Sequence, residues 1–590
     1  MFLPIMFEIL FMGLTVASPL VSCSSDSPEP SQCHLQSCKN IPGDQDWPLA
    51  AEWQSLNGTL GGRLIAAKPI AHVCHAPDYS EAACSVLKNE WDTGSLMSPS
   101  PVDIQAPWFQ NQSCVPFTDV SKPCELGNLA SYSINVTGVE DVKAGIAFSK
   151  SHNIRLSIKN SGHDWNGKST GKGTLSLWTR NMKSRQITTY NSSFYSGPVL
   201  KAGAGVTGGE AAEFVAEHGY RVVTGDSPTV ALAGGYTQGG GHSQLSGQYG
   251  IGADQVVEWE VITASGDYLV ASPLKNSDLY WALSGGGGGT YGVVVGVTVR
   301  LHEDGQVASA YMAFSVDNAG GVDEFWNAIG AFHDELQILV DTKGVVADYL
   351  LRNDSLTVFT ITAPGYTADT LSTLLDPLIL AITQSGSGSI NKNSLNLKLN
   401  EADGYYNLYS KTLGPLINSS TESPVMGGRM VLRDNYAKNK SAVIDSFRNV
   451  TDGGEFYMAA TALNTVGAAL LAKPVASNAV QPQWRDAFLS INIISQWDWN
   501  EDWKNAARLQ ADMVDRIIPV MEAATPGSAV YLNEGNWAQP DWQHAFYGSN
   551  YERLLKIKKK YDPDNVFYAL TAVGSDSWSE DITGKLCRIN

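Results

Sequence analysis

Apolar and polar positions alternate along Ser131–Thr137 (SYSINVT), which predicts a strand. The period then changes. Over Val139–His152, Val142, Ile146 and Phe148 fall at nearly helical spacing, and Glu140 with Asp141 suits a helix N-terminus. A second strand, Ile154–Lys159, runs into a polar loop, Asn160-Ser161-Gly162-His163-Asp164-Trp165-Asn166-Gly167. The same order repeats loosely as a strand at Pro198–Lys201, a helix over Glu210–His218 and a strand at Arg221–Val223. Glycine-rich sequence from Gly234 to Gly252 follows. The β-branched strands Val256–Thr263 and Gly292–Arg300 then flank a glycine run at Gly285–Gly289. From about Glu303 to Asn533 the pattern is mixed and carries no local motif. Tyr551–Asn565 reads as a basic helix ended by Asp562-Pro563. No solenoid-like period is present.

Length changes this picture from one fold unit to several, because 590 residues exceed what a single hydrophobic core usually serves. With 43% hydrophobic and 17% charged residues the chain has a globular balance. Its formal net charge of −19 repels polyanions over most of the surface, so nucleic acid and anionic membrane are excluded as expected partners. Residues 1–22 (MFLPIMFEILFMGLTVASPLVS) form an apolar stretch ending in small residues near Ala17 and Ser18, which reads as a signal peptide. No Lys or Arg precedes its apolar part and Glu8 interrupts it, so a buried N-terminal strand or helix is the alternative. No later segment approaches the roughly 20 apolar residues of a membrane span. Eight sequons, at Asn57, Asn111, Asn135, Asn191, Asn353, Asn418, Asn439 and Asn449, could accept glycan in the secretory path, and the expected location is outside the cell or in the secretory lumen. The cysteines agree. All but Cys587 lie between Cys23 and Cys124, where Cys74 with Cys84 and Cys114 with Cys124 are candidates for local disulfides. A zinc site using His72 and His75 beside Cys74 is the competing reading; no metal is expected.

Two glycine patterns invite a nucleotide. Gly203-Ala204-Gly205-Val206-Thr207-Gly208 is a literal G-x-G-x-x-G with Asp226 further on, as a dinucleotide fingerprint favours, but its preceding strand is weak and no run of βαβ units follows, so a tight strand-to-helix turn is the favoured reading. Gly234-Gly235-Tyr236-Thr237-Gln238-Gly239-Gly240-Gly241-His242 is more informative, because successive residues without Cβ leave their N–H groups open to a pyrophosphate. The run Ser284–Gly289 supplies a second such loop. Neither continues into the Gly-Lys-Ser/Thr of a phosphate-binding P-loop.

The loop Lys159–Gly167, with its His163, resembles the flavin-attachment loop of vanillyl-alcohol-oxidase-type FAD enzymes, and the glycine runs fit the same family. Tyr547-Gly548-Ser549-Asn550-Tyr551-Glu552-Arg553-Leu554, followed by Tyr561-Asp562-Pro563, resembles the closing segment of its berberine-bridge-enzyme branch, most like fungal secreted members. The resemblance implies an α+β fold. It comprises a two-part PCMH-type FAD-binding domain (126–303), an inserted α+β substrate domain (304–530) and a C-terminal berberine-bridge-like segment (531–590). A cysteine-rich extension (23–125) precedes them. It implies that His163 bonds the flavin covalently. Lys159, Asn160, Ser161, Gly162, Asp164, Ser227, Gly234, Gly235, Gly239, Gly240, Gly241, His242, Ser243, Ile262 and Asn550 would surround FAD, with Ile262 on the adenine side.

Two positions depart from the family. Bicovalent members carry a Cys before the Pro-Thr of the second loop, where this chain has Ser227, so a single covalent link is expected. Many relatives have Tyr where Glu534 stands and Asp where Asn536 stands. Glu534 is the candidate base for the substrate hydroxyl, with Tyr531 in reserve, and loop ordering is the bland role for Glu534. The implied reaction is oxidation of an alcohol, such as a secondary-metabolite or polyketide hydroxyl, to a ketone or aldehyde with O2 as acceptor and H2O2 as product. An oxidative cyclase or dehydrogenase, a non-catalytic flavin or sugar binder, and a nicotinamide dehydrogenase using Gly203–Gly208 are the rivals.

Overall fold

The computed structural model describes residues 37–589, apart from 92, 111, 387–389, 419–423 and 497. The apolar stretch 1–22, Cys23, Cys33 and the sequon at Asn111 lie outside the described residues. The alternating strand forms over Tyr132–Asn135 and the helix over Val139–Ser151. That helix buries Val142 and Ile146 on the sheet beneath it, and Gly145 permits the close approach: a Cβ there would stand 2.6 Å from Leu177 Cδ2. The chain returns along Leu156–Lys159, and Leu175–Trp178 pairs in parallel between the two strands. Leu64–Ala66 completes this four-stranded sheet on the antiparallel edge. The flavin-type loop thus leaves the C-terminal end of a parallel strand, where α/β sheets present their ligands.

The second expected strand-helix-strand unit pairs differently. Ser196–Gly203 lies in an antiparallel five-stranded sheet ordered Arg185–Asn191, Ser196–Gly203, Val293–Arg300, Val256–Ile262, Tyr268–Ala271. Tyr220–Arg221 pairs elsewhere, with His302–Glu303. Hydrophobic period identifies an element but not its neighbour. Gly203–Gly208 is accordingly the tight turn. A Cβ on Gly205 would lie 2.0 Å from the Arg180 carbonyl oxygen, and Thr207 and Glu210 cap the helix Gly208–Ala216 reciprocally. A dinucleotide fingerprint opens a parallel βαβ unit, so the nicotinamide reading falls.

The unpatterned middle of the chain forms a seven-stranded antiparallel sheet. Its order is Lys398–Ala402, Val307–Ser315, Ser355–Pro364, Val346–Leu351, Tyr457–Ala462, Ala487–Gln496, Pro424–Leu432. Helices Val322–Lys343, Ala368–Gln384 and Arg433–Thr451 bury Phe325, Phe332, Leu375 and Phe447 in the core on one side of it. Alternation turns Asp348, Leu350 and Arg352 to the other side, together with Tyr457, Ala459 and Thr461 of the neighbouring strand, and there they wall a cavity.

The C-terminal helix Tyr551–Tyr561 stops where Asp562-Pro563 was expected to stop it. Its Lys558 is fully buried and donates to Asp562 Oδ2 at 2.5 Å and to the carbonyls of Thr290 (2.9 Å) and Phe567 (2.6 Å). Asp562 also accepts from the amides of Val566 and Phe567. This one ammonium pins the C-terminal segment to the end of the second glycine run. Replacing Asp562 with Ala strands a buried cation, and chemical denaturation of the variant is expected to show a loss of about 3–5 kcal/mol.

Disulfides join Cys74 to Cys84, Cys114 to Cys124, and Cys38 to Cys587. The first removes the zinc reading, since the Cys74 sulfur is spent, His72 pairs with Asp78 and His75 bonds the Val115 carbonyl. The third, between residues 549 apart in sequence, fastens the start of the described residues to the C-terminal segment. Among the described residues no helix is long and apolar enough to cross a membrane. The sequon residues Asn191, Asn353, Asn439 and Asn449 are exposed, and Asn57 and Asn135 are half-buried. Asn418 ends a short helix.

Candidate active site

A cavity of about 750 Å³ opens where the two N-terminal sheets, the seven-stranded sheet and the C-terminal segment meet. The loop 160–166 and the glycines Gly234, Gly235, Gly288 and Gly289 form one wall. The cavity face of the seven-stranded sheet, with Asp348, Arg352, Thr461 and Asn492, lines the cavity too, as do Tyr531 and Glu534.

His163 lines this cavity with its Nε2 2.6 Å from Thr229 Oγ1. Burial, reinforced by the charges of Lys159 and Arg180, pushes the imidazole down to about 3, so it is neutral and keeps a lone pair at physiological pH. Ser227 Oγ lies 3.3 Å from the same Thr229 hydroxyl, so the attachment loop and the second loop meet at one threonine. Thr229 was not singled out in the sequence, although it is the Thr of the Pro-Thr pair beside Ser227. Asp164 turns back to accept from the amide and hydroxyl of Ser169, shaping the loop around His163.

Asn160, Ser161, Gly162, His163, Asp164, Ser227, Gly234, Gly235 and His242 of the expected set face the cavity. The others stand behind its wall. Lys159 is fully buried, pushed down to about 7 by burial, and donates to the Ser100 carbonyl at 2.7 Å. Its ammonium sits where a Cβ on Gly162 would reach, 3.0 Å away, so the positive φ of 83° at Gly162 lets the loop close over the lysine. Gly239 packs on Asn533, Gly240 on Ile251 and Val480, and Gly241 on the Tyr236 ring. Ser243 is buried, accepting from the Leu245 amide. Ile262 belongs to the core beneath the sheet, and Asn550 ties its amide to the carbonyls of Ala479 and Val480. Lys159, Gly239, Gly240, Gly241 and Ser243 adjoin the motifs in sequence, whereas Ile262 and Asn550 were expected at the cofactor from the family resemblance. The turns they make put them in the second layer.

His242, which lines the cavity, also reaches the C-terminal segment. It donates from Nε2 to Glu534 Oε1 at 2.8 Å, and its Nδ1 lies 3.9 Å from Asp226 Oδ2. Burial works against its charge, but Glu534, Asp226 and Asp348 outweigh burial and raise it to about 10. It therefore stands as a cation beside Glu534 and belongs to an acid–base cluster. Tyr531, edge-on to His242 and Trp484, accepts from Asn533 Nδ2 at 2.7 Å. Burial and then the Glu534 charge push its phenol upward, so it remains a proton donor and makes a poor base. Asn536 is buried and bonds Gln510 and the Met426 carbonyl, which makes it a loop brace.

The cavity suits a large planar cofactor with a pyrophosphate. The buried Asn160 Oδ1 and Trp165 Nε1 have no partner among the described residues, and both residues line it. A Cβ on Gly289 would meet nothing within 4 Å, so this glycine leaves backbone bare against open space. Unpartnered polar atoms beside bare backbone are what a cofactor held mainly by hydrogen bonds requires.

Comparison with known proteins agrees. An FAD binding domain model matches residues 130–272 and a berberine and berberine-like model matches 530–574. The chain is 44% identical over 563 residues, 94% of its own length and 96% of the relative's, to a VAO-type flavoprotein oxidase of Thermothelomyces thermophilus. It is 43% identical over 598 residues, 99% of this chain and all of the other, to a bifunctional decalin synthase of Penicillium decumbens. The crystal structure of a VAO-type flavoprotein from Myceliophthora thermophila C1 superposes with a TM-score of 0.89 at 43% identity, covering 94% of this chain and 100% of that one. The chain belongs to the VAO-type, berberine-bridge-like FAD-linked oxidoreductases. It is an FAD-dependent oxidoreductase of α+β fold.

Proposed function

We propose that this protein is a secreted glycoprotein oxidase that converts a secondary-metabolite alcohol to a ketone or aldehyde and passes the electrons to O2, forming H2O2. The observation that carries this reading is Glu534, whose carboxylate faces the cavity beside the cationic His242 at 2.8 Å. FAD, when bound, supplies the hydride acceptor and returns the electrons to oxygen. Glu534 takes the hydroxyl proton of the substrate, and His242 steadies the carboxylate before that transfer. His163, neutral and cavity-facing, is the residue to which the flavin is joined, with Ser227 unable to supply the second, thiol-based link. The polar sheet face, including Arg352, Tyr457 and Asn492, orients the substrate so that its carbinol carbon meets the flavin. The three disulfides and the exposed sequons support passage through an oxidising compartment.

One observation favours a second reading. A relative 43% identical over essentially the whole of both chains is named a bifunctional decalin synthase, which supports ring formation as the alternative. An anaerobic alcohol panel separates the two. Alcohol oxidation predicts bleaching of the yellow flavin by an alcohol, carbonyl product, and peroxide on readmitting air. A bleached flavin that yields a cyclised product without carbonyl would support the second reading instead.

A further inference from the structure

The acid–base cluster contains more carboxylates than the proposed chemistry uses. Asp226 comes from the loop before the first glycine run, and Asp348 from the centre of the seven-stranded sheet. They meet across the seam between the two halves, both nearly inaccessible, with Asp226's side chain 13% and Asp348 8% exposed. The Gln244 amide nitrogen donates to both, reaching Asp226 Oδ1 at 3.2 Å and Asp348 Oδ2 more closely. One amide nitrogen serving an oxygen of each brings the two carboxyl groups together at a single point of the seam. Two buried acids drawn to one amide favour a state in which one keeps its proton, since two carboxylates offer acceptors alone and repel each other. Thr461 stands opposite Asp348 in the strand register. The charged and titratable neighbours are His242, Glu534 and the buried phenols Tyr236, Tyr405 and Tyr409, with the Tyr409 hydroxyl fixing the Asp226 carbonyl at 2.6 Å. Of these only His242 is cationic.

We propose that Asp226 and Asp348 share one proton, and that the single negative charge left on the pair acts through His242 as a positioning device for Glu534. The inference rests on the reading of Glu534 as base for its purpose, though not for the existence of the shared proton. Like charges converging on one amide in a buried site resist double ionisation, so the first proton is retained and the second is lost. The remaining anion faces His242 Nδ1 and keeps the ring doubly protonated. Nε2–H then stays directed at Glu534. Burial and the neighbouring Asp226 charge raise Asp348 well above the ordinary carboxyl range, and burial raises Asp226 too, in keeping with a pair that gives up only one proton.

A shared proton has a signature that two independent acids lack. Replacing either aspartate with Asn leaves the other free to ionise, so the pair's charge stays at one negative. Only Asp226→Asn/Asp348→Asn together removes it. The test uses folded, flavin-loaded wild type, both single variants and the double variant. Infrared spectra of resting holoenzyme, without substrate, are expected to show a protonated-carboxyl stretch in wild type that shifts in deuterium oxide and is lost in each single variant. The alkaline limb of the rate profile, where His242 loses its proton, is expected to hold its position in each single variant. In the double variant it is expected to move to lower pH by about 1 to 3 units. No such stretch in wild type, its survival in both single variants, or single-variant shifts that add up to that of the double would overturn the proposal. If alcohols fail to react at all, the infrared arm still decides the shared proton, and it is the reading of Glu534 that fails.

Discussion

Glu534→Gln is expected to slow reduction of the flavin by an alcohol about 10²- to 10⁴-fold, the usual share of a positioned general base. The amide keeps the size of the side chain and can still accept from His242 Nε2, so the cavity and the FAD spectrum should be retained. What the variant loses is the capacity to take a proton while hydride leaves the carbon. Anaerobic stopped-flow with the same alcohol in both proteins reads this directly, and reoxidation of pre-reduced enzyme by O2 should change little, because Glu534 acts before that step. Tyr531→Phe is the comparison that separates the candidates. Burial and the Glu534 charge hold that phenol in its protonated form, so its removal should cost far less than loss of the carboxylate.

His163→Ala is expected to release all flavin from denatured protein while leaving the fold intact. The native imidazole sits 2.6 Å from Thr229, is kept neutral by burial and by Lys159 and Arg180, and belongs to a loop held by Asp164 and Ser169. Ala removes the nucleophilic nitrogen but none of the groups that shape the glycine cradle. The variant should therefore bind FAD reversibly, lose colour on dialysis and regain part of it when FAD is added. Ser227 does not compensate, since a hydroxyl lacks the thiolate reactivity of cysteine.

The sequence displayed most of this site in one dimension. The attachment loop is legible because a polar, glycine-bearing segment around His163 leaves a strongly patterned strand, and the glycine runs are legible because repeated loss of Cβ has few other uses. The layering was not legible. Lys159 and Gly239–Ser243 adjoin the motifs, yet turns carry them behind the wall, and local spacing does not say which side of a loop faces a ligand. His242 reads as part of the glycine nest, and its charged partners lie 292 residues away at Glu534 and in the preceding loop at Asp226. Asp348 was missed altogether, although an acid within the apolar strand Val346–Leu351 is the kind of buried polar residue that asks for a reason. The seven-stranded sheet escaped notice because its cavity face mixes apolar residues such as Leu350, Phe359 and Ile494 with Asp348, Thr461 and Asn492, which blurs the alternation that identifies a strand.

The most direct measurement is acid precipitation of the purified wild-type protein followed by peptide-resolved mass analysis. The account predicts a yellow pellet with one flavin carried on the peptide containing His163 and none on the peptide containing Ser227. A colourless pellet with all flavin in the supernatant, or flavin on another residue, would contradict it.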